Sequence, residues 1–366
     1  MGDKLKIERP VAVYIQIEEH LREKIRSGEL HPGDRLPSVP EMAAEMGVHE
    51  VTVQKALRRL KMAGLLYRTP KVGTFVRTSP DQMQIGIFFG PALSDEEGHF
   101  FRAVNRCLRS LIEKNHQSYR AYDDINEAKE LRNIDDHPSL RHYLADRNNH
   151  LFGGGILIGV DHHLIEVMRK REEYPLVFGS GIYPDADVYI DPDHFLSESL
   201  AYLVSQGKRK VAFLHLAEEG APDYPFSELL ARYGMENCGV DVCGLSEKNH
   251  VNEAQAFEQI TARIHRWNKS GRWPQALVVA DDIAMRGVAL ALLQQQVDVP
   301  GKLEVVCLSN QGIIHHYGLP VTQYEISPQE FSAHLYRILC DRMASGTPKI
   351  PTPILFRGRI LPKTDG

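Results

Sequence analysis

Residues 33–60 read GDRLPSVPEMAAEMGVHEVTVQKALRRL, and this stretch decides the fold of the first fifth of the chain. Ser38 followed three residues later by Glu41 is a capping-box pattern, in which each side chain satisfies a backbone donor of the other, so a helix is expected to begin there. Met42, Ala43 and Met46 fall on its inward face, and Gly47 supplies a tight turn. Beyond the turn, Val53, Ala56, Leu57 and Leu60 recur at helical spacing and predict a third helix with one buried stripe. Its outward face is Glu50, Gln54, Lys55, Arg58, Arg59 and Lys61. A short helix, a turn and a basic amphipathic helix make the shape that enters a DNA groove.

The flanks support that pair. Tyr14, Ile17, Leu21 and Ile25 define an apolar stripe and a first helix from about residue 11 to residue 26, closed by Ser27-Gly28 and then Pro32-Gly33. On the other side Gly64 stops the third helix. Two short β runs, 65–68 and 74–76, flank Pro70-Lys71-Val72-Gly73, a turn with a basic tip. Helix, helix, recognition helix and β-wing describe a winged helix-turn-helix, with Lys71 reaching phosphate or the minor groove.

Charge is unevenly placed. The net charge is −5, but residues 1–80 hold fourteen Lys/Arg against ten Asp/Glu, which leaves −9 for the rest. Residues 50–77 carry seven basic side chains and one acidic one, Glu50. A small polyanion-binding head on an acidic body is one reading, and a solvated helix face is the other. Hydrophobic content of 43% and charged content of 25% are ordinary for a globular protein. No apolar run approaches membrane-spanning length and no signal-peptide core opens the chain, so a cytoplasmic protein without a membrane partner is expected. The five cysteines are scattered and form no C-x-x-C pair, so reduced thiols are expected and no metal site is assigned.

The order Tyr14-x-x-Ile17, SGELHPGDRLPS, Gly47-Val48, TVQKALRRL, Gly64-Leu65-Leu66 and GTFV resembles the GntR family of bacterial transcription regulators over nearly all of residues 10–77. The resemblance implies DNA contacts from Arg35, Ser38, His49, Glu50, Thr52, Gln54, Lys55, Arg58, Arg59, Lys71 and Gly73. Three positions depart from the family: Pro40, Glu50 and Gln54 stand where arginines are frequent. Arginine bonded to guanine O6 and N7 is the commonest specific base contact, and a carboxylate cannot replace it. Glu50 can either accept from cytosine N4 or repel phosphate.

The polar segment 78–82, TSPDQ, marks a boundary. The expected division is a winged helix-turn-helix at residues 1–78, a linker at 79–83 and an effector-binding, dimerising domain at 84–366. Apolar runs at 85–89, 155–159, 176–179, 211–214, 276–280 and 305–308 read as short buried strands separated by helices, hence parallel sheets covered on both faces. The expected class is therefore α/β, a winged helix-turn-helix head followed by doubly wound parallel sheets.

Met83-Gln84-Ile85-Gly86-Ile87, Gly154-Gly155-Ile156-Leu157-Ile158, residues 203–212 (LVSQGKRKVA), PQALVVADDIA at 274–284 and Leu319-Pro320-Val321-Thr322 resemble, in order, the effector domain of LacI/GalR regulators. That resemblance covers residues 83–360 and implies a periplasmic-binding-protein-like domain of two α/β lobes joined by three crossovers, with a small ligand in the cleft. Candidate effector-binding residues are Phe88, Pro91, Phe100, Asp191, Ser227, Asp282 and Asn310. Rings would stack on a sugar face and carboxylates would accept its hydroxyls. Ser227, Ser309 and Asp281 stand where the family has arginine, aspartate and asparagine, which alters the charge and hydrogen bonding of the cleft. For Asp282, a helix cap before Ile283 and a ligand contact remain equal readings.

Gly153-Gly154-Gly155 precedes a strand and lacks a following lysine, so it is no phosphate loop. Gly179-Ser180-Gly181 lacks the strand–elbow–helix context of a hydrolase. No catalytic residues and no cofactor are assigned. The expected function is a homodimeric regulator, in default a repressor, that binds pseudo-palindromic double-stranded DNA under control of a small molecule such as a sugar. The alternative is a small-molecule-binding protein whose head has lost sequence-specific DNA binding.

Overall fold

The computed structural model describes residues 12–31, 33–62, 65–69, 72–76, 84–90, 99–130, 133–148, 152–171, 174–181, 183–216, 224–243, 253–312, 317–345 and 353–361. The expected linker, Lys71 and Pro91 lie outside these residues.

The head comprises α1 (Val13–Arg26), α2 (Val39–Met46), α3 (Glu50–Met62), β1 (Leu66–Thr69) and β2 (Gly73–Val76). The capping box is present: the Glu41 N–H donates to Ser38 Oγ at 3.4 Å, and the Ser38 N–H donates to Glu41 Oε2 at 2.7 Å. Pro40 sits in the first turn of α2, where backbone N–H groups have no helical partner to lose. Gly47 ends that helix at φ 66°, a left-handed conformation that glycine adopts without side-chain strain. The wing strands are antiparallel from Leu66↔Val76 to Thr69↔Gly73, and Arg35 bridges to Phe75 on the far side of β2. Ile17, Met42, Val53, Ala56, Leu60 and Val76, each at most 2% exposed, form the centre of the head's core. Each fully buried aliphatic side chain of this kind contributes roughly 1.5–3 kcal/mol, so the three helices and the wing hold one another.

Beyond the head, one sheet contains β3 (Gln84–Phe89), β4 (Tyr119–Tyr122), β5 (Phe152–Ile158), β6 (Leu176–Ser180), β7 (Val188–Ile190) and β13 (Ile354–Phe356), in the order β13-β7-β6-β5-β3-β4. The other contains β8 (Lys210–Leu216), β9 (Glu236–Cys243), β10 (Ala276–Val279), β11 (Glu304–Asn310), β12 (Thr322–Ile326) and β14 (Arg359–Leu361), in the order β14-β12-β11-β10-β8-β9. In the second sheet β8 through β12 pair in parallel and only β14 runs antiparallel. Each sheet thus starts in the middle, steps to one edge and returns past its start, the doubly wound order whose switch point favours ligand binding at strand carboxyl ends. The chain passes from one sheet to the other three times, after β7, after β12 and after β13.

The second sheet is packed by α9 (Glu253–Ser270) and α10 (Asp282–Gln294). Their core includes Ala212, Ile260, Ile264, Val279, Met285, Val288 and Val305, none more than 1% exposed. The WNKSGRW segment ends α9 and leads to β10, as its polar composition predicts, with Trp267 and Trp273 in ring contact.

Candidate DNA-binding face and effector site

On α3 the apolar stripe faces the core and the expected outward residues Glu50, Gln54, Lys55, Arg58, Arg59 and Lys61 are all exposed. They do not form one free cationic face. The ammonium of Lys55 lies 3.8 Å from the centroid of the Tyr14 ring. Arg59 donates to Glu18, which also accepts from Arg22 at 3.0 Å. Glu18 is 7% exposed; burial alone would raise its pKa, but the hydrogen bonds from Arg59 and Arg22 outweigh that and lower it. Lys55 and Arg59 therefore tie α3 to α1. The side chains of Glu50, Gln54 and Arg58 make no hydrogen bond or ion pair among the described residues and remain free for a ligand.

The other head candidates divide similarly. Ser38 is taken by the capping box and Thr52 is half-buried. His49 is exposed, and its carbonyl accepts from the Thr52 N–H at 2.9 Å to start α3. Gly73 lies against Arg35: a Cβ there would stand 2.8 Å from Arg35 Nε, so glycine lets the arginine cross the wing. Val51, which sequence reasoning passed over, is 73% exposed in the first turn of α3.

In the body, two aromatic candidates prove to be core. Phe88 is 1% exposed, stacked on Tyr122 at 5.0 Å and edge-on to Tyr143 at 4.9 Å. Phe100, near the start of α4 (His99–Lys114), is 7% exposed and packs edge-on against Phe331 at 5.2 Å. Neither presents a ring face to a ligand. Asp191 is the N-cap of α7 (Pro192–Ser205), accepting from the His194 N–H at 3.0 Å and from Arg357 Nε at 2.9 Å. Ser227, in the first turn of α8 (Phe226–Tyr233), is exposed and accepts from Asn237 at 3.3 Å.

Asp282 and Asn310 do come together. The Asn310 side chain donates to Asp282 Oδ2 at 3.1 Å, both residues are nearly fully buried, and Asn310 Oδ1 is a buried acceptor without a partner. The cap of α10 is not Asp282 but Asp281, whose extended backbone (φ −151°, ψ 138°) lets Oδ1 accept from Ile283 and Ala284. Burial first, and then the neighbouring Asp282 charge, raise the Asp281 carboxyl above its ordinary value. Burial likewise raises Asp282 against the opposing pull of Arg286, and it pushes the Cys307 thiol and the Tyr317 phenol up. Ser309 donates to Gln323 at 3.2 Å.

This cluster sits at the carboxyl ends of β10 and β11. At the matching end of β8, His215 and Tyr224 pair with ring centroids 5.1 Å apart, and the Ala280 N–H donates to Leu214 beside them. Both rings also contact Phe213, His215 stacked on it at 5.3 Å and Tyr224 edge-on at 5.0 Å, but they are half-buried where Phe88 and Phe100 are buried. Locating the end of the 211–214 apolar run would have pointed to His215.

Residues 13–76 match the bacterial regulatory proteins of the gntR family, and residues 200–363 match the periplasmic binding protein-like domain. The chain is 45% identical over 69 residues to the HTH-type transcriptional repressor NagR of Bacillus subtilis (strain 168), covering 19% of this chain and 28% of that protein. It is 25% identical over 165 residues to the arabinose metabolism transcriptional repressor of Geobacillus stearothermophilus, covering 39% of this chain and 45% of that protein. The chain spans less than half the length of these relatives. Among solved structures, the lac repressor dimer bound to operator and the anti-inducer ONPF matches 77% of this chain and 93% of its own, with a TM-score of 0.59 and 14% identity. The fold is thus that of a winged-helix head on a two-sheet body. More particularly, the head is similar to the gntR family over residues 13–76 and the body to the periplasmic binding protein-like domain over residues 200–363.

Proposed function

We propose that the chain is a DNA-binding transcription regulator, a repressor whose hold on its operator is controlled by a small molecule, a sugar or sugar derivative, in the periplasmic-binding-protein-like body. One observation carries this reading: a single chain joins a head like that of named repressors to a body like that of the lac repressor. Residues 1–78 bind DNA, 79–83 link and 84–366 sense, and the relatives are regulators, in keeping with a chain that has no catalytic role. The operator is pseudo-palindromic and met by a homodimer, because two-fold symmetry in the protein is mirrored in the half-sites. No helix among the described residues is long and apolar enough to cross a membrane, in keeping with action in the cytoplasm.

In the second sheet the ligand's hydroxyls meet the Asp282–Asn310 pair: one donates to the unpartnered Asn310 Oδ1, and His215 and Tyr224 supply the apolar ring faces. The ligand shifts DNA affinity by no more than its own differential affinity for the two states of the body. A thermal-shift screen of the full chain over sugars, sugar acids and phosphosugars tests this. At 100-fold excess over its dissociation constant a ligand stabilises by about 2.7 kcal/mol, and the same compound is expected to weaken duplex binding. A stabilising compound that leaves duplex binding unchanged would support a binding protein with an inert head.

A further inference from the structure

The first turn of α3 carries a side chain that the fold does not use. Val51 is 73% exposed, the highest value among the exposed large hydrophobic residues described, and the next highest, Val72 at 50%, lies on the wing turn of the same head. At about 100° per residue, Val51 stands roughly opposite the buried stripe of Val53, Ala56, Leu57 and Leu60. It lies on one line with Gln54 and Arg58, three and seven residues on, while Lys55 and Arg59 are held towards α1. A solvated helix position favours a strong helix former, and an exposed β-branched residue costs helix propensity without any packing in return. Single exposed apolar residues are common on surfaces. This one stands in the first turn of a recognition helix, the part that meets base edges.

We propose that Val51 reads a thymine by packing on its 5-methyl group in the major groove. This inference rests on the head binding DNA. The thymine methyl is the one apolar feature that distinguishes base pairs on the major-groove floor. A valine held in one χ1 rotamer by the helix meets it with little entropy loss. Val51 is thus a specificity-determining residue beside Gln54, whose amide matches the N6 and N7 of adenine.

The test uses the full chain and a duplex selected by it from a random-sequence pool. Each thymine of a half-site is replaced in turn by deoxyuridine, which deletes the methyl alone. Removing one buried methyl costs about fourfold in affinity per half-site, so the wild-type chain should lose about fourfold at one thymine and nothing at the others. Val51→Ala, which changes both heads of the homodimer, should bind the thymine duplex about fourfold more weakly per half-site, hence about sixteenfold over two, and be indifferent to that deoxyuridine, whereas Val51→Thr, which keeps a methyl, should retain the sensitivity. Thermal midpoints of the variants should not fall below the wild type's, because residue 51 packs on nothing, and Val51→Ala should rise slightly with alanine's better helix propensity. Wild-type indifference to every deoxyuridine, or a Val51→Ala chain that remains sensitive at the same position, overturns the assignment. Failure to select any duplex would instead overturn the DNA-binding reading itself.

Discussion

Replacing Asp281 by asparagine removes one charge from a buried acidic pair while leaving the helix cap in place. Asp281 Oδ1 accepts from Ile283 at 2.7 Å and Ala284 at 3.1 Å, and an asparagine oxygen can accept the same bonds with about equal capping strength. What changes is the charge. Burial and the Asp282 carboxylate raise the Asp281 pKa, against the two backbone donors and Arg286; the Cys307 thiol and Tyr317 phenol also feel the pair's charge. An acid whose pKa is higher folded than unfolded holds its proton more tightly in the fold. Stability is therefore greatest below the unfolded value of about 3.9 and declines as pH rises through the raised folded value. One pKa unit is about 1.4 kcal/mol, and losing a carboxylate at the start of α10 gives back about 0.3–1 kcal/mol. Asp281→Asn should then stabilise the protein by about 1–3 kcal/mol at pH 8 and by much less at pH 5. Urea unfolding of the full chain at both pH values measures the difference. A variant less stable than wild type at pH 8, or an advantage that does not grow with pH, would refute the reasoning.

Glu18→Gln should weaken the α1–α3 tie by about 1 kcal/mol, and, because the Glu18 pKa is depressed, the wild-type advantage should vanish as pH falls through that depressed value. The same change frees Arg59, so the salt dependence of duplex binding should steepen by about one counterion per head; an unchanged slope would mean Arg59 does not reach phosphate. Glu50→Arg should strengthen duplex binding and alter base preference, since an unpartnered carboxylate gives way to a guanine-reading group; unchanged affinity and preference would place residue 50 away from the groove. Asp191→Ala should cost about 2 kcal/mol from the lost N-cap and the lost Arg357 partner, seen as a lower urea midpoint, while an unchanged midpoint would mean the α7 start is held by its backbone alone.

The head was legible because its determinants are local. Ser38 and Glu41, the Gly47 turn and the α3 stripe each lie within a few residues of what they specify, and all recur in the structure. The apolar runs that became β3, β5, β6, β8, β10 and β11 were equally plain. The missed strands are short or mixed: β4 reads YRAY, β7 VYI, β13 ILF and β14 RIL, β9 reads ENCGVDVC, and β12 alternates buried Thr322, Tyr324 and Ile326 with half-buried Gln323 and Glu325. Their pairing is set by neighbours distant in sequence. The same distance hid the site. A helical wheel turns Lys55 and Arg59 outward, but only the packed head reveals Tyr14 and Glu18 beneath them, Glu18 lying 41 residues from Arg59. Phe88 read as a ring platform until Tyr122 and Tyr143 closed over it. Asp282 read equally as a cap before Ile283 or as a ligand contact; the extended backbone one residue earlier gives the cap to Asp281.

The most direct measurement is the affinity of the full chain for random-sequence duplex DNA, followed by fluorescence anisotropy as salt rises from about 50 to about 200 mM. A working head releases counterions from phosphates met by residues such as Arg35 and Arg58, so the logarithm of affinity should fall linearly with the logarithm of salt, with a slope of several. Absence of binding at low salt, or a slope near zero, would contradict the reading of this chain as a DNA-binding regulator.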